Sequence, residues 1–384
     1  MRFRGKEKLV PLTKPFVPKL SIEYAVSALA STHQQGDGYY SVECLKIIQR
    51  VTRKISFLTP SCTSSLELAS SLIGLKNGDE IIIPSFNFTS GAIAIVNYGA
   101  IPVFVDIDSR TKCIDTNKIE RAITTSTRAI SWVNYAGTSP NIEHLRLLAK
   151  QYNLYLIEDN AHCLGNQFEG NELGHTGDFA TYSFHATKNF QCGEGGAIAF
   201  NNDSFIEEAQ IMREKGTDRA KYLDGKVDKY TWVGKGSSHL LSEVQAAVLL
   251  GQLEKYESIQ TKRIQVYRKY VHELRDICQH KGIFGSFFEA DSRFAAHLFY
   301  LQLHNREQRS QFINFMSELG ITCAFHYQAL HTSSAGIRFG KVVGSMKQTE
   351  KASDGLVRLP LFFEMTDREV DRVISGVRKF IERI

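Results

Sequence analysis

The chain has 384 residues, of which 43% are hydrophobic and 23% charged, the composition of an ordinary globular protein. The net charge of +5 is small and no basic run stands out, so the charge pattern gives no indication of nucleic-acid binding. The charged segment Met1–Lys8 does not resemble a secretory signal, and no apolar run reaches the roughly 18 residues of a membrane helix, so we expect a cytoplasmic protein without a membrane span.

Short β-branched runs alternate with helical patterns through the first two-thirds of the chain. Such alternation predicts an α/β fold, with a mostly parallel sheet covered by helices on both faces. Helices are predicted from about Thr63 to Leu75 and from about Thr89. The predicted strands are 55–58, 80–84, 101–105, 129–134, 152–158, 180–184 and 197–200. The sequence therefore predicts a large domain built on a mixed, mostly parallel seven-stranded sheet.

The pattern changes after about Leu240. One long helix is predicted towards Leu274, because apolar residues recur there at intervals of three and four. The elements predicted after it are a strand at 298–303, a helix at 309–319, a strand at 321–325 and a C-terminal helix from Asp367. We therefore predict that residues 1–250 form the large domain with an N-terminal segment, and that residues 251–384 form a smaller α+β domain.

Polar residues follow several of the predicted strands, and parallel α/β sheets bind ligands at the carboxyl ends of their strands. The first such segment is Thr59–Leu66, a hydroxyl-rich turn before a helix. A helix N-terminus has unpaired N–H groups and a partial positive charge, so this turn can bind phosphate. Serine and threonine are also common N-caps, and this segment taken alone favours simple capping.

Two further segments supply ionisable side chains after strands. In Leu156–His162 an apolar strand ends in two acidic residues, the second of which is Asp159. A carboxylate in this position can hold a protonated pyridine nitrogen, bind a metal ion or cap the next segment. Lys188 follows another predicted strand and precedes the glycine-rich segment Gly193–Gly196. Each segment alone is weak evidence for a site.

Together, the three segments fit the chemistry of pyridoxal 5'-phosphate (PLP). Asp159 would hold the ring nitrogen of this cofactor, and Thr63 and Ser183 would hold its phosphate. Lys188 would form a Schiff base with its aldehyde, as lysines do in PLP enzymes.

The same segments resemble the DegT-type PLP-dependent sugar aminotransferases, from about Pro11 to the C-terminal helix. The resemblance implies PLP fold-type I (aspartate-aminotransferase-like) architecture and a homodimer with active sites shared between the subunits. The segments that carry it are Ser183-Phe184-His185-x-x-Lys188, Gly193-Glu194-Gly195-Gly196, Glu158-Asp159-x-Ala161-His162 and Pro84-Ser85-Phe86-x-Phe88.

The resemblance also implies a role for each matching residue. Lys188 matches the Schiff-base lysine, and Asp159 matches the carboxylate at the ring nitrogen. His162 matches the Gln or His near the ring hydroxyl, and Phe88 matches the aromatic residue that stacks on the ring. The implied contacts of the cofactor phosphate are Thr63, Ser64 and Ser183.

The chain departs from the family pattern at two positions. Many members carry Gly-x-Asn-x-Arg where this chain has Gly236-Ser237-Ser238-His239-Leu240. The asparagine that reaches the cofactor phosphate from the partner subunit is thus Ser238 here, which has a shorter side chain. Asn87 replaces a common threonine beside the stacking ring.

The resemblance is greatest to members that act on TDP-linked 4-keto-6-deoxy sugars. It implies transfer of an amino group from L-glutamate to C4 of TDP-4-keto-6-deoxyglucose, with pyridoxamine 5'-phosphate as the second form of the cofactor. The product would be TDP-4-amino-4,6-dideoxygalactose, which serves surface polysaccharides such as enterobacterial common antigen and lipopolysaccharide O-antigen. The segments that point to these members are 59–63, 213–217, 227–232 and 236–238. The implied substrate contacts are Asp37, Tyr327 and His331.

Several alternatives stay open. The product could be the 4-epimeric (gluco) amino sugar, or the enzyme could act on a 3-keto sugar. A regulatory protein on the same fold is a further alternative, because a fold does not determine a function. A PLP-dependent sugar dehydratase is disfavoured, because related dehydratases have histidine where this chain has Lys188.

Neither disulfides nor a metal site are expected. The seven cysteines are scattered and form no Cys-x-x-Cys pair, so we expect reduced thiols. His326 and His331 have no third ligand at a suitable spacing.

Overall fold

The structure is a computed structural model that describes residues 8–384; most of the charged N-terminal segment, residues 1–7, lies outside it. The strands are β1 (Ser56–Thr59), β2 (Glu80–Pro84), β3 (Ile101–Val105), β4 (Thr127–Val133), β5 (Tyr155–Asp159), β6 (Gln167–Phe168), β7 (Asn171–Glu172), β8 (Phe179–Ser183), β9 (Gly196–Phe200), β10 (Phe284–Gly285), β11 (Phe299–Gln302), β12 (Ala324–Phe325), β13 (Lys341–Val342) and β14 (Leu356–Leu359). The α-helices are α1 (Lys19–Ala30), α2 (Tyr39–Thr52), α3 (Cys62–Leu72), α4 (Thr89–Val96), α5 (Ile142–Tyr152), α6 (Ile206–Arg213), α7 (Arg219–Leu223), α8 (Glu243–Leu253), α9 (Tyr256–His280), α10 (Arg306–Glu318), α11 (Ser334–Phe339), α12 (Lys347–Gly355) and α13 (Asp367–Ile381).

The central sheet has the strand order β1-β9-β8-β5-β4-β2-β3-β13. Its neighbours are parallel except that β9 is antiparallel to both β1 and β8. The predicted strands all form within a few residues of their predicted bounds, which confirms the mixed, mostly parallel sheet. The predicted number of seven strands is one too few, because β13 adds two residues of the C-terminal part beside β3. Two residues are too few to show the periodicity from which a strand is predicted.

Helices cover both faces of the central sheet. Successive residues of a strand point to opposite faces, and on β2 the side chains of Ile81 and Ile83 belong to the same buried cluster as Leu68 of α3. Ile82 points to the other face and belongs to the buried cluster that contains Leu145 of α5. Because both faces are buried, the strand is apolar at successive positions instead of alternating. Apolar side chains therefore occupy both faces of the sheet, and a ligand site can form only at the ends of the strands.

A second, antiparallel sheet has the order β10-β11-β14-β12. Alternation again divides the residues of β11. Phe299 packs on Tyr270 of α9, with ring centroids 5.2 Å apart, and shares the C-terminal core with Phe312 of α10; all three are fully buried. Its neighbour Tyr300 points the other way and packs on Tyr135 of the large sheet's layer, with ring centroids 5.8 Å apart. The two sheets thus meet through β11.

The long helix predicted after Leu240 is two helices, α8 and α9, separated at Glu254 and Lys255. Helix α8 lies against α1, where Ser21 Oγ donates a hydrogen bond to Val248 O at 2.8 Å. The periodicity runs through both helices, so it does not show the break between them. Helices α1 and α2 were not predicted. The division between residues 250 and 251 stays a prediction.

Candidate active site

A cavity of about 660 Å³ lies where β5 and β8 end, facing the second sheet. Both sheets supply its walls, so residues distant in the sequence meet in it. Side chains that line it include Ser61, Cys62, Thr63, Phe88, Asp159, His162, Ser183, Lys188, His297, His326, Tyr327 and Arg358. Most of the site residues expected from the sequence therefore lie in one cavity.

Asp159 is the last residue of β5 and is only 6% exposed. Its Oδ1 atom accepts a hydrogen bond from Ala161 N at 2.9 Å and faces the Cys62 thiol, with Sγ at 3.9 Å. Burial raises the pKa of the Asp159 carboxyl, and the Ala161 N–H group and the charge of Lys188 oppose this rise. A cationic group bound beside Asp159 would therefore be held strongly, because it would relieve a buried charge.

Lys188 lies in the tight turn that follows β8, with its N–H group donating to His185 O at 2.8 Å. Asn189 fixes this turn to the C-terminal part, since its Nδ2 donates to Ala295 O at 2.8 Å. Among residues 8–384, Lys188 Nζ has neither a hydrogen bond nor an ion pair. Burial lowers the pKa of Lys188, while the nearby Cys62 and Asp159 raise it. The amine is thus free to react, and a larger fraction of it is unprotonated than in water.

Hydroxyl groups gather at the N-terminus of α3, where the cavity wall is formed by Ser61 and Thr63. Ser61 is the N-cap and accepts a hydrogen bond from Ser64 N at 3.1 Å. Thr63 Oγ1 lies 2.7 Å from Ser90 Oγ. Ser183, the last residue of β8, also lines this cavity. Ser61 therefore caps helix α3, as the sequence of this segment suggested. The hydroxyl groups of Thr63 and Ser183 line the cavity, where an anion at the helix N-terminus could contact them.

His162 is buried in the cavity wall and is neutral. Ala136 N donates to its Nδ1 atom at 3.1 Å, so the ring proton is on Nε2, which lies 3.4 Å from Tyr327 Oη. The ring stacks on His297 with centroids 4.4 Å apart. Burial lowers the pKa of His162 well below its ordinary value, and the charge of Lys188 lowers it further. His162 Nε2 is consequently a fixed hydrogen-bond donor towards the cavity.

Two of the expected phosphate contacts lie away from the cavity. Ser64 Oγ is 2.5 Å from His239 Nδ1 in a buried pair. Ser238 is exposed and its backbone forms an antiparallel bridge with Glu214. An exposed position for Ser238 is compatible with a contact in a second copy of the chain, which the single chain does not contain.

Of the three expected substrate contacts, one lines the cavity and two do not. Tyr327 lines the cavity. Asp37 instead forms a two-pronged ion pair with Arg213, at 2.7 and 2.8 Å. His331 Nδ1 lies 2.7 Å from Ser85 Oγ, and neither residue lines the cavity.

The cavity residues that were not assigned a role from the sequence include Cys62, beside Asp159; His297, stacked on His162; and Arg358. Arg358 could have been noticed as a charged residue inside the apolar run Leu356–Leu361. His297 gives no such signal, because nothing near it in the sequence shows what it packs against.

The described chain, residues 8–384, contains no cluster of three or more His, Cys, Asp or Glu side chains suited to a metal ion. All seven cysteines are buried and form no disulfide. No helix in this range is both long and apolar enough to cross a bilayer.

Comparison with known proteins gives matches over most of the chain. The sequence model of the DegT/DnrJ/EryC1/StrS aminotransferase family matches residues 46–378. Protein MJ1066 of Methanocaldococcus jannaschii is 31% identical over 335 residues, which are 85% of this chain and 86% of that protein. The aminotransferase TlmJ of Streptoalloteichus hindustanus superposes with a TM-score of 0.87 at 22% identity, covering 98% of this chain and 99% of that one. The PLP form of Spr1654 of Streptococcus pneumoniae gives a TM-score of 0.87 at 24% identity, with coverage of 98% and 99%.

Proposed function

Because the chain belongs to the DegT/DnrJ/EryC1/StrS aminotransferase family, it is a PLP-dependent sugar aminotransferase of fold-type I, and we propose that it forms TDP-4-amino-4,6-dideoxygalactose. The proposed donor is L-glutamate and the proposed acceptor is C4 of TDP-4-keto-6-deoxyglucose. The observation that carries the enzymatic proposal is the presence of Lys188 and Asp159 in one cavity, at the ends of β8 and β5. The sugar and its nucleotide come from the resemblance of the sequence to a TDP-4-amino-4,6-dideoxygalactose transaminase.

The cavity residues fit PLP. A buried carboxylate, Asp159, is available to a protonated ring nitrogen, and Lys188 is an amine without a partner among residues 8–384. Thr63 and Ser183 offer hydroxyl groups at a helix N-terminus for the phosphate, and Phe88 presents a ring at the mouth, 57% exposed. When bound, PLP supplies an electron sink that acidifies the hydrogen on the carbon bearing the donor's amino group.

The side chains of this chain then have separate tasks. Asp159 would hold the proton on the ring nitrogen, because its charge stabilises the cationic form. The Lys188 amine would take the α-proton of the donor and deliver it to C4′, the aldehyde carbon of PLP, a transfer for which its lowered pKa suits it. His162, whose Nδ1 accepts from Ala136 N, would donate from Nε2 to the ring hydroxyl and so orient the ring. The acceptor is aminated by the same steps in reverse, which gives ping-pong kinetics.

The Schiff-base role of Lys188 is tested directly. Purified holoenzyme should absorb at visible wavelengths, and borohydride should attach the cofactor irreversibly to Lys188. Peptide mapping by mass spectrometry locates the label, and Lys188→Ala serves as the unlabelled control. A label on any other lysine, or protein that binds no PLP at all, contradicts the assignment; the second result favours a regulatory protein on this fold.

The substrate and product are tested separately. TDP-4-keto-6-deoxyglucose, generated enzymatically, is incubated with the protein and glutamate, and the product is identified by NMR. The expected product has an axial amino group at C4, the galacto configuration. An equatorial amine identifies the 4-epimeric alternative, amination at C3 identifies a 3-keto-sugar enzyme, and either result overturns the proposed product.

A further inference from the structure

Arg358 is a charged residue inside an apolar strand. It occupies the third position of β14, between Val357 and Leu359, which are both buried. Its backbone pairs with Ala324 of β12, and its side chain lines the cavity that contains Lys188. The other three residues of β14 are apolar and buried, so the strand does not require a charged side chain at this position.

The guanidinium of Arg358 is poorly satisfied within the chain. Its Nε atom is buried without a hydrogen-bond partner, and its Nη2 atom has one long bond of 3.4 Å to Phe325 O. No carboxylate of residues 8–384 forms an ion pair with it. Arginine has five N–H donors, and leaving them unpaired away from water costs free energy. The buried Nε–H group is therefore available to an anion that residues 8–384 do not supply.

The location of Arg358 restricts which anion this can be. Its positive charge lowers the pKa values of Lys188, His162 and His326, so it acts on the part of the cavity around the reactive amine. The cofactor phosphate is not this anion, because its proposed contacts, Thr63 and Ser183, lie at the N-terminus of α3 and the end of β8. A position in the same cavity as the reactive amine points to an anion that a substrate carries.

We propose that Arg358 binds the α-carboxylate of the amino-acid donor. This inference rests on the proposed function, because it requires an α-amino acid to react beside Lys188. In such a donor the carboxylate is attached to the carbon that bears the reacting nitrogen, so it lies next to the reaction centre. In a nucleotide sugar the diphosphate is separated from C4 by the width of the sugar ring, further from Lys188. A planar guanidinium also matches a carboxylate with two parallel hydrogen bonds.

The experiment compares two donors that differ only in the α-carboxylate. Glutamate and 4-aminobutyrate share the amino group and the distal carboxylate, and 4-aminobutyrate lacks the α-carboxylate. The conversion of the bound cofactor to its amino form is followed by absorbance in single turnovers, with wild type, Arg358→Gln and Arg358→Lys. The matched control is Arg309→Gln, since Arg309 also has a buried, unpartnered Nε and contacts Phe325 but does not line the cavity.

The apparent second-order rate constant with glutamate should fall about ten- to a hundredfold in Arg358→Gln, the usual cost of a charge-assisted pair. In Arg358→Lys the rate constant with glutamate should fall by a smaller factor. The rate constant with 4-aminobutyrate should change less than about threefold in either variant. A readout apart from turnover is calorimetric binding of α-methylglutamate, which has no α-hydrogen to transfer; its affinity should weaken by the same factor. Arg309→Gln should leave all of these values unchanged.

Other outcomes are distinct. An equal loss with both donors would assign Arg358 to the distal carboxylate, and a loss confined to the reaction of the amino form with the keto sugar would assign it to the diphosphate. Unchanged glutamate kinetics would remove any role in donor binding. Each of these results overturns the proposal. If the keto sugar is not a substrate, the proposed product fails, and the glutamate measurements still test Arg358.

Discussion

Asp159 and Glu158 are adjacent carboxylates that the fold places in opposite surroundings. Glu158 is fully buried and accepts hydrogen bonds from Gly174 N at 2.7 Å and Thr176 N at 3.0 Å, so it fixes a loop behind β5. Asp159, one residue later, faces the cavity. Successive residues of a strand point to opposite sides, so one carboxylate became structural and its neighbour became available to a ligand.

We predict that Asp159→Asn preserves folding and lowers transamination about 10²–10³-fold, because a neutral amide cannot hold the proton on the ring nitrogen. Circular dichroism and PLP absorbance establish that the variant is folded and loaded, and single-turnover rates measure the effect. Glu158→Gln is the control. It should lower the melting temperature, because Glu158 fixes a loop, and it should leave the single-turnover rate of the folded protein close to that of wild type. Near-normal turnover of fully loaded Asp159→Asn would show that Asp159 only caps the segment after β5.

His162 should make stability depend on pH. Its pKa in the folded protein lies well below the ordinary value of 6.5, because burial disfavours the charged ring. The unfolded chain therefore binds a proton near pH 6.5 that the folded chain does not. The contribution of His162 to the free energy of unfolding is fully present above that pH and is lost as the pH falls below it. The loss approaches about 1.4 kcal/mol per pH unit for one such group.

His162→Gln should remove this contribution, because the amide does not titrate. Urea unfolding of the apoprotein at pH 7.5 and pH 5.5 measures the free energy of unfolding, and the difference between the two values should be smaller in the variant than in wild type. His280→Gln, at the exposed end of α9, is the control and should behave as wild type. An identical pH dependence for His162→Gln and wild type would contradict the neutral assignment.

At the scale of elements, the C-terminal helix α13 has its own start signal. Thr366 is the N-cap: its Oγ1 accepts from Glu369 N, and the Glu369 carboxylate accepts from Thr366 N at 2.8 Å. This reciprocal pair is a capping box. Val373 and Val377, on the inner face of the helix, are fully buried in the C-terminal core. The capping box therefore fixes where the helix begins, and burial of its apolar face stabilises the helix in the folded protein.

Thr366→Ala should lower the free energy of unfolding by about 1 kcal/mol, the usual cost of losing a side-chain cap. Chemical denaturation measures the change, and PLP affinity should stay the same because Thr366 does not line the cavity. Ser310→Ala, on the exposed side of α10, is a matched hydroxyl deletion without a cap and should change stability by less than about 0.5 kcal/mol. Equal effects of the two substitutions would show that the capping box contributes nothing.

At the scale of the whole molecule, we propose a homodimer in which Ser238 contacts the cofactor phosphate of the other subunit. Ser238 is exposed and outside its own chain's cavity, so only a second copy could bring it there. Ser238→Ala should weaken PLP binding about ten- to a hundredfold and leave the chemical step at saturating PLP unchanged, because the phosphate is remote from the reacting carbon.

Two measurements test this arrangement. PLP dissociation constants are compared for Ser238→Ala and Ser237→Ala, where the second substitution should have no effect. Light scattering gives the mass of the holoenzyme. A fully active monomer, or unchanged PLP affinity in Ser238→Ala, would contradict a shared site.

Elements whose signals are local could be predicted from the amino-acid sequence alone. The strands of the large sheet were predicted because each is a short apolar run, and Lys188 and Asp159 were identified because each follows such a run within a known motif. The reason is physical: burial on both faces imposes a composition on neighbouring residues, and the end of a parallel strand is where a ligand can bind.

Contacts between residues that are distant in the sequence could be learned only from the folded chain. Arg358 is 170 positions from Lys188 by their numbering and shares a cavity with it because the second sheet folds over the ends of the first. The stacking of His297 on His162 and the pairing of β13 with β3 arise in the same way. Such contacts depend on how two layers pack, and packing depends on the shape of the whole interface, which no short stretch of sequence contains.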